Sequence, residues 1–303
     1  MTTICELPPD RFEVARAVLS NPPADWAYIE AGLTGVNPTR IFVDDPDLPT
    51  AALMCRTYEF FAGGATGTAL DDFIRDAPSE PGVWDQFYGF VAVDGAWNAH
   101  LFALQPGLQV EERRSFRFDP ARIDAVRGAA DRVPAGLRLV PVPAELAKIV
   151  DRELNETIGS TWGGYDRFAT HSFGAVVLDG DQPISDTFTN VVAGGDANLA
   201  VITAATYRRQ GLATLTGQAC IEIAHDCGLT ATWDCDLANV PSGKLAEALG
   251  FTEEEPFQEL GFLIRDPARP GPPRRGKPKQ STDVWTREDA GSGLVRWRRS
   301  HAE

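Results

Sequence analysis

Arg208 and Arg209 stand just ahead of Gly211, and Ala213 follows it two residues later. Paired arginines at a glycine turn that opens a helix suit one task well, the capture of an anion. The free N–H groups at a helix N-terminus carry the positive end of its dipole, and glycine lets the backbone come close to what it holds. The stretch Tyr207-Arg208-Arg209-Gln210-Gly211-Leu212-Ala213-Thr214 therefore reads as a cradle for a pyrophosphate. A plain helix N-terminus can have the same composition, so the neighbouring elements must decide.

Those elements are legible on both sides. The apolar run Leu199–Thr203 is a strand that feeds the turn. In the helix that follows, Leu212, Leu215, Ala219, Ile223 and Cys227 share one face, and Gly228 suits its termination. Thr230–Cys235 reads as a second strand. Asn239-Val240-Pro241-Ser242 then opens a helix through Lys244-Leu245-Ala246-Glu247-Ala248-Leu249, which Gly250 ends before Phe251. Upstream, Ser172–Leu178 and Ile184–Val192 form a hairpin about Asp179-Gly180-Asp181.

Taken together, these residues resemble the GNAT acetyltransferase superfamily. Strand, Arg-x-x-Gly-x-Ala and helix match its acetyl-CoA motif, and Asn239 with Leu245-Ala246-Glu247-x-Leu249-Gly250-Phe251 matches the motif after it. The Trp233-Asp234-Cys235 strand resembles the branch of the zwittermicin-resistance acetyltransferase. The likeness covers residues ~136–265 and is most specific between Leu199 and Phe251. It implies an α/β fold, a mixed, splayed sheet flanked by helices, with a further N-terminal α/β domain. It also implies acetyl-CoA as cosubstrate, direct attack of an amine on the thioester, and no cysteine nucleophile. The backbone of Val201, Ile202 and Thr203 would pair with the pantetheine arm. Arg208, Arg209, Gln210, Gly211, Leu212, Ala213 and Thr214 would hold the pyrophosphate. Asn239 would contact the arm, with Ser242 beside it.

Two positions depart from the family pattern. Ala246 stands where many members carry a tyrosine that protonates the leaving thiolate, and Asn198 lies where many carry a glutamate. The catalytic groups are therefore not assigned by the resemblance. Asp234, Asp236, Tyr207 and Cys235 are the replacements within reach, although Asp234 and Asp236 also suit caps on the following helix. His171 and His225 titrate in the useful range but read as surface residues. Trp162, Tyr165 and Phe168 form an aromatic cluster whose default is core packing, and whose sharper reading is an acceptor wall. A CoA-binding pseudoenzyme, sensor or scaffold is the rival reading, since the usual acid and base are both replaced.

Composition narrows the partners. The 303 residues carry 28 Lys and Arg against 43 Asp and Glu, a net charge of −15, which disfavours nucleic acid and anionic membranes. The acceptor expected is a cationic primary amine of small size. Five scattered cysteines, Cys5, Cys55, Cys220, Cys227 and Cys235, form no Cys-x-x-Cys pair, which points to reduced thiols in the cytoplasm and no metal site. No apolar run reaches the roughly 18 residues of a membrane helix, and the N-terminus does not read as a secretion signal. The pattern divides the chain at 1–135, an N-terminal α/β domain of unassigned role with the character of a degenerate GNAT-like half, 136–265, the CoA-binding domain, and 266–303. That last stretch, rich in proline and arginine, is expected to be a disordered basic tail.

In the first domain, helices are expected over Asp10–Leu19, Asp25–Leu33 and Gly67–Asp76. Strands are expected over Arg40–Val43, Ala51–Phe61 and Leu108–Phe118. The oligomeric state is not encoded in any feature of the sequence.

Overall fold

The computed structural model describes residues 3–20, 26–77, 89–93, 95–264, 274–275, 278 and 284–300. The chain forms two compact units, Met1–Glu112 with Phe257–Glu303, and Arg113–Pro256. The divisions thus fall at 112/113 and 256/257, whereas the sequence pattern places them at 135/136 and 265/266.

The first unit begins with strand β1 (Thr3–Leu7), a 3-10 turn (Pro9–Ala15) and helices α1 (Arg16–Leu19) and α2 (Trp26–Leu33). Strands β2 (Thr39–Val43), β3 (Ala51–Arg56) and β4 (Glu59–Gly64) follow as antiparallel neighbours. Then come α3 (Ala69–Asp76), β5 (Gly89–Ala92), α4 (Gly95–Leu104) and β6 (Gln109–Phe118), whose second half belongs to the other unit. The run expected as one strand over Ala51–Phe61 is in fact the β3–β4 hairpin, with Cys55 opposite Phe60. All six residues of β3 are buried. A strand covered on both faces has no polar alternation to betray where it turns.

The second unit continues through α5 (Ile123–Val126), β7 (Leu137–Pro141) and α6 (Ala144–Val150). Directly after α6 the chain passes into a π-turn over Asp151–Asn155, closed by Glu156 at φ 67°. Next are α7 (Ile158–Trp162), α8 (Tyr165–His171), β8 (Gly174–Asp179), β9 (Gln182–Ala193) and β10 (Asp196–Thr203). Helix α9 (Leu212–Asp226), β11 (Thr230–Asp236), α10 (Val240–Leu249) and β12 (Phe251–Glu253) complete it. Its sheet runs in the order β6-β11-β10-β9-β8-β7. One face packs α9 and α10 on a core that includes Leu199, Cys220, Trp233 and Phe251. The other carries the π-turn and α6–α8, where Phe168 packs against Trp162 and Phe188.

The chain then re-enters the first unit as β13 (Phe257–Gly261), β14 (Leu263–Ile264), β15 (Arg274–Arg275), β16 (Val284–Asp289) and β17 (Val295–Ser300). The first unit's sheet has the order β16-β17-β1-β2-β3-β4-β5-β13. The expectation of a disordered tail is corrected by this hairpin. Strand β17 pairs with β1, and the Trp285 and Trp297 rings lie 5.2 and 5.8 Å from the ring of Phe73. Two tryptophans supply enough apolar area to hold a strand pair that the proline-rich approach conceals. Most of that approach lies outside the described residues.

Candidate functional site

The geometry of interest is where β10 and β11 part. They pair in parallel over Asp196↔Thr230, Ala197↔Ala231 and Asn198↔Thr232, and no further. Strand β10 continues to Thr203 on the β9 side alone, in register from Leu199↔Thr189 to Thr203↔Ser185. A β-bulge at Asn198/Leu199 leaves Asn190 of β9 as the extra residue, and such bulges bend a strand away from its neighbour. Between Leu199 and Thr203 the β11-facing edge of β10 therefore offers backbone groups that the sheet does not use.

That open edge leads to the glycine turn. After β10, a 3-10 turn (Ala205–Tyr207) and Arg208 bring the chain to Arg209 at φ 60° and Gly211 at φ 79°. The Arg208 Nε–H donates to the Thr203 carbonyl at 3.1 Å, which ties the arginine to the strand end. A Cβ built on Gly211 would meet nothing within 4 Å, so the turn borders open space. Leu212 and Ala213 follow in the first turn of α9, where N–H groups lack carbonyls ahead of them. The glycine turn and the first turn of α9 are thus continuous with an unused strand edge.

The other sequence candidates have definite places. Asn239 caps α10, its side chain accepting from the Ser242 N–H at 3.4 Å. The Ser242 Oγ accepts from the Trp233 indole at 3.0 Å. Asp236 accepts from the Ala238 N–H at 2.6 Å, a turn before the helix. Tyr207 donates its hydroxyl to Asp179 at 2.8 Å, and that carboxylate pushes the phenol's pKa up. Burial raises the Cys235 thiol likewise. Ala246 is 0 % exposed, packed in the α10 core. Asp234 is ion-paired with Arg113, and its Oδ2 accepts from the Asn198 amide at 3.1 Å.

His225 lies in the last turn of α9 and His171 in the last turn of α8. The aromatic cluster is divided: Trp162 and Phe168 are core, whereas Tyr165 donates to Asp151 at 2.9 Å.

Sequence reasoning passed over Asp186. Its side chain lies in β9 opposite Ile202, wholly buried, with Oδ2 accepting from the Asn155 amide at 2.9 Å. Oδ1 hydrogen-bonds to no other described residue. Desolvation, with a contribution from nearby Asp151, raises its pKa to about 7. A carboxylate in the run Pro183-Ile184-Ser185-Asp186-Thr187-Phe188 was the one available signal.

A family model described as GNAT acetyltransferase matches residues 23–260. The chain belongs to that family. A fork in a mixed sheet that opens onto a glycine-turn helix is thus a GNAT fold, and the protein is an acyltransferase of the N-acetyltransferase kind. It is 24% identical over 217 residues to the uncharacterized N-acetyltransferase YdfB of Bacillus subtilis (strain 168), covering 71% of this chain and 82% of that one.

Solved structures share the fold. A GCN5-related N-acetyltransferase-like protein from Streptococcus suis 89/1591 superposes with a TM-score of 0.66 at 20% identity, over 83% of this GNAT chain and 98% of that one. A tandem GNAT protein from the clavulanic acid biosynthesis pathway gives a TM-score of 0.56 at 14% identity, over 85% and 97%. Among the described residues no helix is long and apolar enough to cross a membrane, and no cluster of His, Cys, Asp and Glu suits a metal ion.

Proposed function

We propose that the second unit binds acetyl-CoA along the open edge of β10 and transfers its acetyl group to a small cationic primary amine. The observation that carries this reading is the continuity between the parted strands and the Gly211 turn. An extended amide-bearing arm finds backbone partners at Val201, Ile202 and Thr203, and the pyrophosphate finds N–H groups and arginines from Arg208 to Thr214. The residues present fit the donor, since a polyanion on a chain of net charge −15 needs local positive charge and Arg208 with Arg209 supply it. Asn239 and Ser242 stand at the head of α10, beside the second strand.

In the reaction, the amine lone pair forms the C–N bond and the C–S bond breaks toward sulfur. The proton lost by nitrogen goes to the thiolate. Within the family, the Trp233-Asp234-Cys235 strand favours the branch of the zwittermicin-resistance acetyltransferase.

The first unit repeats the plan strand, turn, helix, parallel strand in β4, α3 and β5, and we read it as a half that holds no donor. Strands β4 and β5 stay paired to Ala62↔Ala92, with the Val93 N–H donating to Ala62 at 2.8 Å beyond. The Gly67 N–H is taken by Asp71 at 3.1 Å, and Asp71 with Asp72 puts negative charge at the head of α3.

Calorimetric titration with CoA and acetyl-CoA tests both statements, alongside thiol release over a panel of amines. One site per chain is expected, with affinity lost in Gly211→Glu. Two sites, or wild-type affinity in that variant, would overturn the assignment. The rival pseudoenzyme reading rests on Ala246 and Asn198, and binding without thiol release for every amine would favour it.

A further inference from the structure

The parted strands have an apex, and it is polar. Register and alternation place Asn198 of β10, Thr232 and Asp234 of β11, and Arg113 and Ser115 of β6 on one face of the sheet. That is the face opposite α9 and α10, on which Trp233 and Cys235 lie. Asn190, thrown out by the bulge, donates to the Asn198 Oδ1 at 3.5 Å, and Asn198 donates to Asp234. Arg113 secures the other carboxylate oxygen. The Asp234 side chain is 8% exposed, so its carboxylate is fixed on two sides and largely withdrawn from water, yet still accessible. Beside it, the Thr232 hydroxyl is buried with no hydrogen-bond partner among the described residues, at 3% exposure. A buried hydroxyl left without a partner at the last paired position calls for a polar group that binds there.

Resting on the donor reading above, we infer that Asp234 is the residue that holds the acceptor nitrogen during transfer, with Arg113 and Asn198 as positioning residues. A donor anchored at Gly211, with its arm along β10, would bring its thioester toward the apex, at Asn198 and Thr232. Asp234 follows Thr232 by two residues on the same face. Attack on the carbonyl puts positive charge on nitrogen, and a carboxylate already oriented opposite that atom stabilises the charge without reorganising. The Arg113 and Asn198 contacts supply that orientation. No bond to Asp234 forms or breaks.

The test uses two sulfur-alkylated forms of CoA and needs no knowledge of the natural acceptor. S-(2-aminoethyl)-CoA carries an ammonium close to where the acceptor nitrogen would stand, and S-ethyl-CoA lacks it. The full-length wild type is expected to bind the aminoethyl form about ten-fold more tightly than the ethyl form, as a charge-assisted contact allows. Asp234→Asn should bind CoA as the wild type does and lose that preference. Arg113→Lys should keep more of it than Arg113→Met, which a purely structural arginine would not produce. Equal wild-type affinities for the two forms would overturn the inference even if Asp234→Asn failed to fold. So would a preference that survives in Asp234→Asn. Failure of the wild type to bind CoA at all would instead remove the donor reading beneath it.

Discussion

Trp297 and Glu6 lie 291 positions apart in the chain, and the indole N–H of one donates to the carboxylate of the other at 3.1 Å. The contact closes the first unit, since β17 is the outer neighbour of β1 and Glu6 also grips Arg40 at 2.7 Å. The Trp297 ring is 2% exposed and packs edge-on against Phe42 and Phe73. Trp297→Ala should cost about 3–5 kcal/mol, the range for a fully buried aromatic. Removing residues 284–303 should cost more, because Trp285 and its hydrogen bond to Asp76 go with it. Urea unfolding followed by near-ultraviolet circular dichroism measures both. An unchanged midpoint after truncation would restore the view that this segment is an unattached tail.

Asp186 makes stability depend on pH with a definite sign. Its folded pKa of about 7 exceeds the ordinary value of 3.8, so between those limits the folded state holds a proton that the unfolded chain releases. The contribution of Asp186 to stability is therefore greatest below the unfolded value and is lost as pH rises through 7, by up to roughly 4 kcal/mol for such a shift. Asp186→Asn keeps an oxygen for Asn155 and has no charge to bury. The variant should match the wild type near pH 4 and exceed it in melting temperature at pH 8. A gap that does not widen with pH would count against burial as the cause.

Ala246 is wholly buried, in the same core cluster as Phe116, Trp233 and Leu249. Ala246→Tyr should destabilise the second unit by about 1–3 kcal/mol, the usual cost of overpacking. It should not restore an acid. Faster thiol release with an unchanged melting temperature would show instead that the side chain finds room beside the thioester.

Asn239 illustrates how one residue can carry a structural task at a proposed binding position. Its side chain accepts from Ser242, so Asn239→Ala should lower stability by about 1 kcal/mol. Asn239→Asp should retain the cap and its stability. If it also weakens CoA binding, the residue stands close to the donor as proposed. A melting temperature indifferent to Asn239→Ala would remove the capping account.

How much of this was legible beforehand depended on the range of the forces involved. The Gly211 turn, α9 and α10 were visible because their signals are local: a helix face repeats every three to four residues, Pro241 starts a helix, and Gly250 ends one. Those local signals also carried the family likeness and hence the fold. The π-turn at Asp151–Asn155 was hidden, because α6 and the π-turn share one helical pattern of apolar residues. The β3–β4 hairpin was hidden because both its faces are buried. Asp186 was missed for a related reason, since a carboxylate in a strand announces nothing until the residues around it are known.

The sequence by itself determined the Gly211 turn, the two helices that flank the fork, and the net charge of −15. Only the tertiary structure decided that β10 and β11 separate after Asn198 and Thr232, that Arg113 reaches Asp234, and that residues 284–300 form a hairpin of two strands rather than a tail. Each of these joins groups distant in sequence. Their pairing rests on strand register and buried area, which depend on the whole chain and leave no short-range pattern to read.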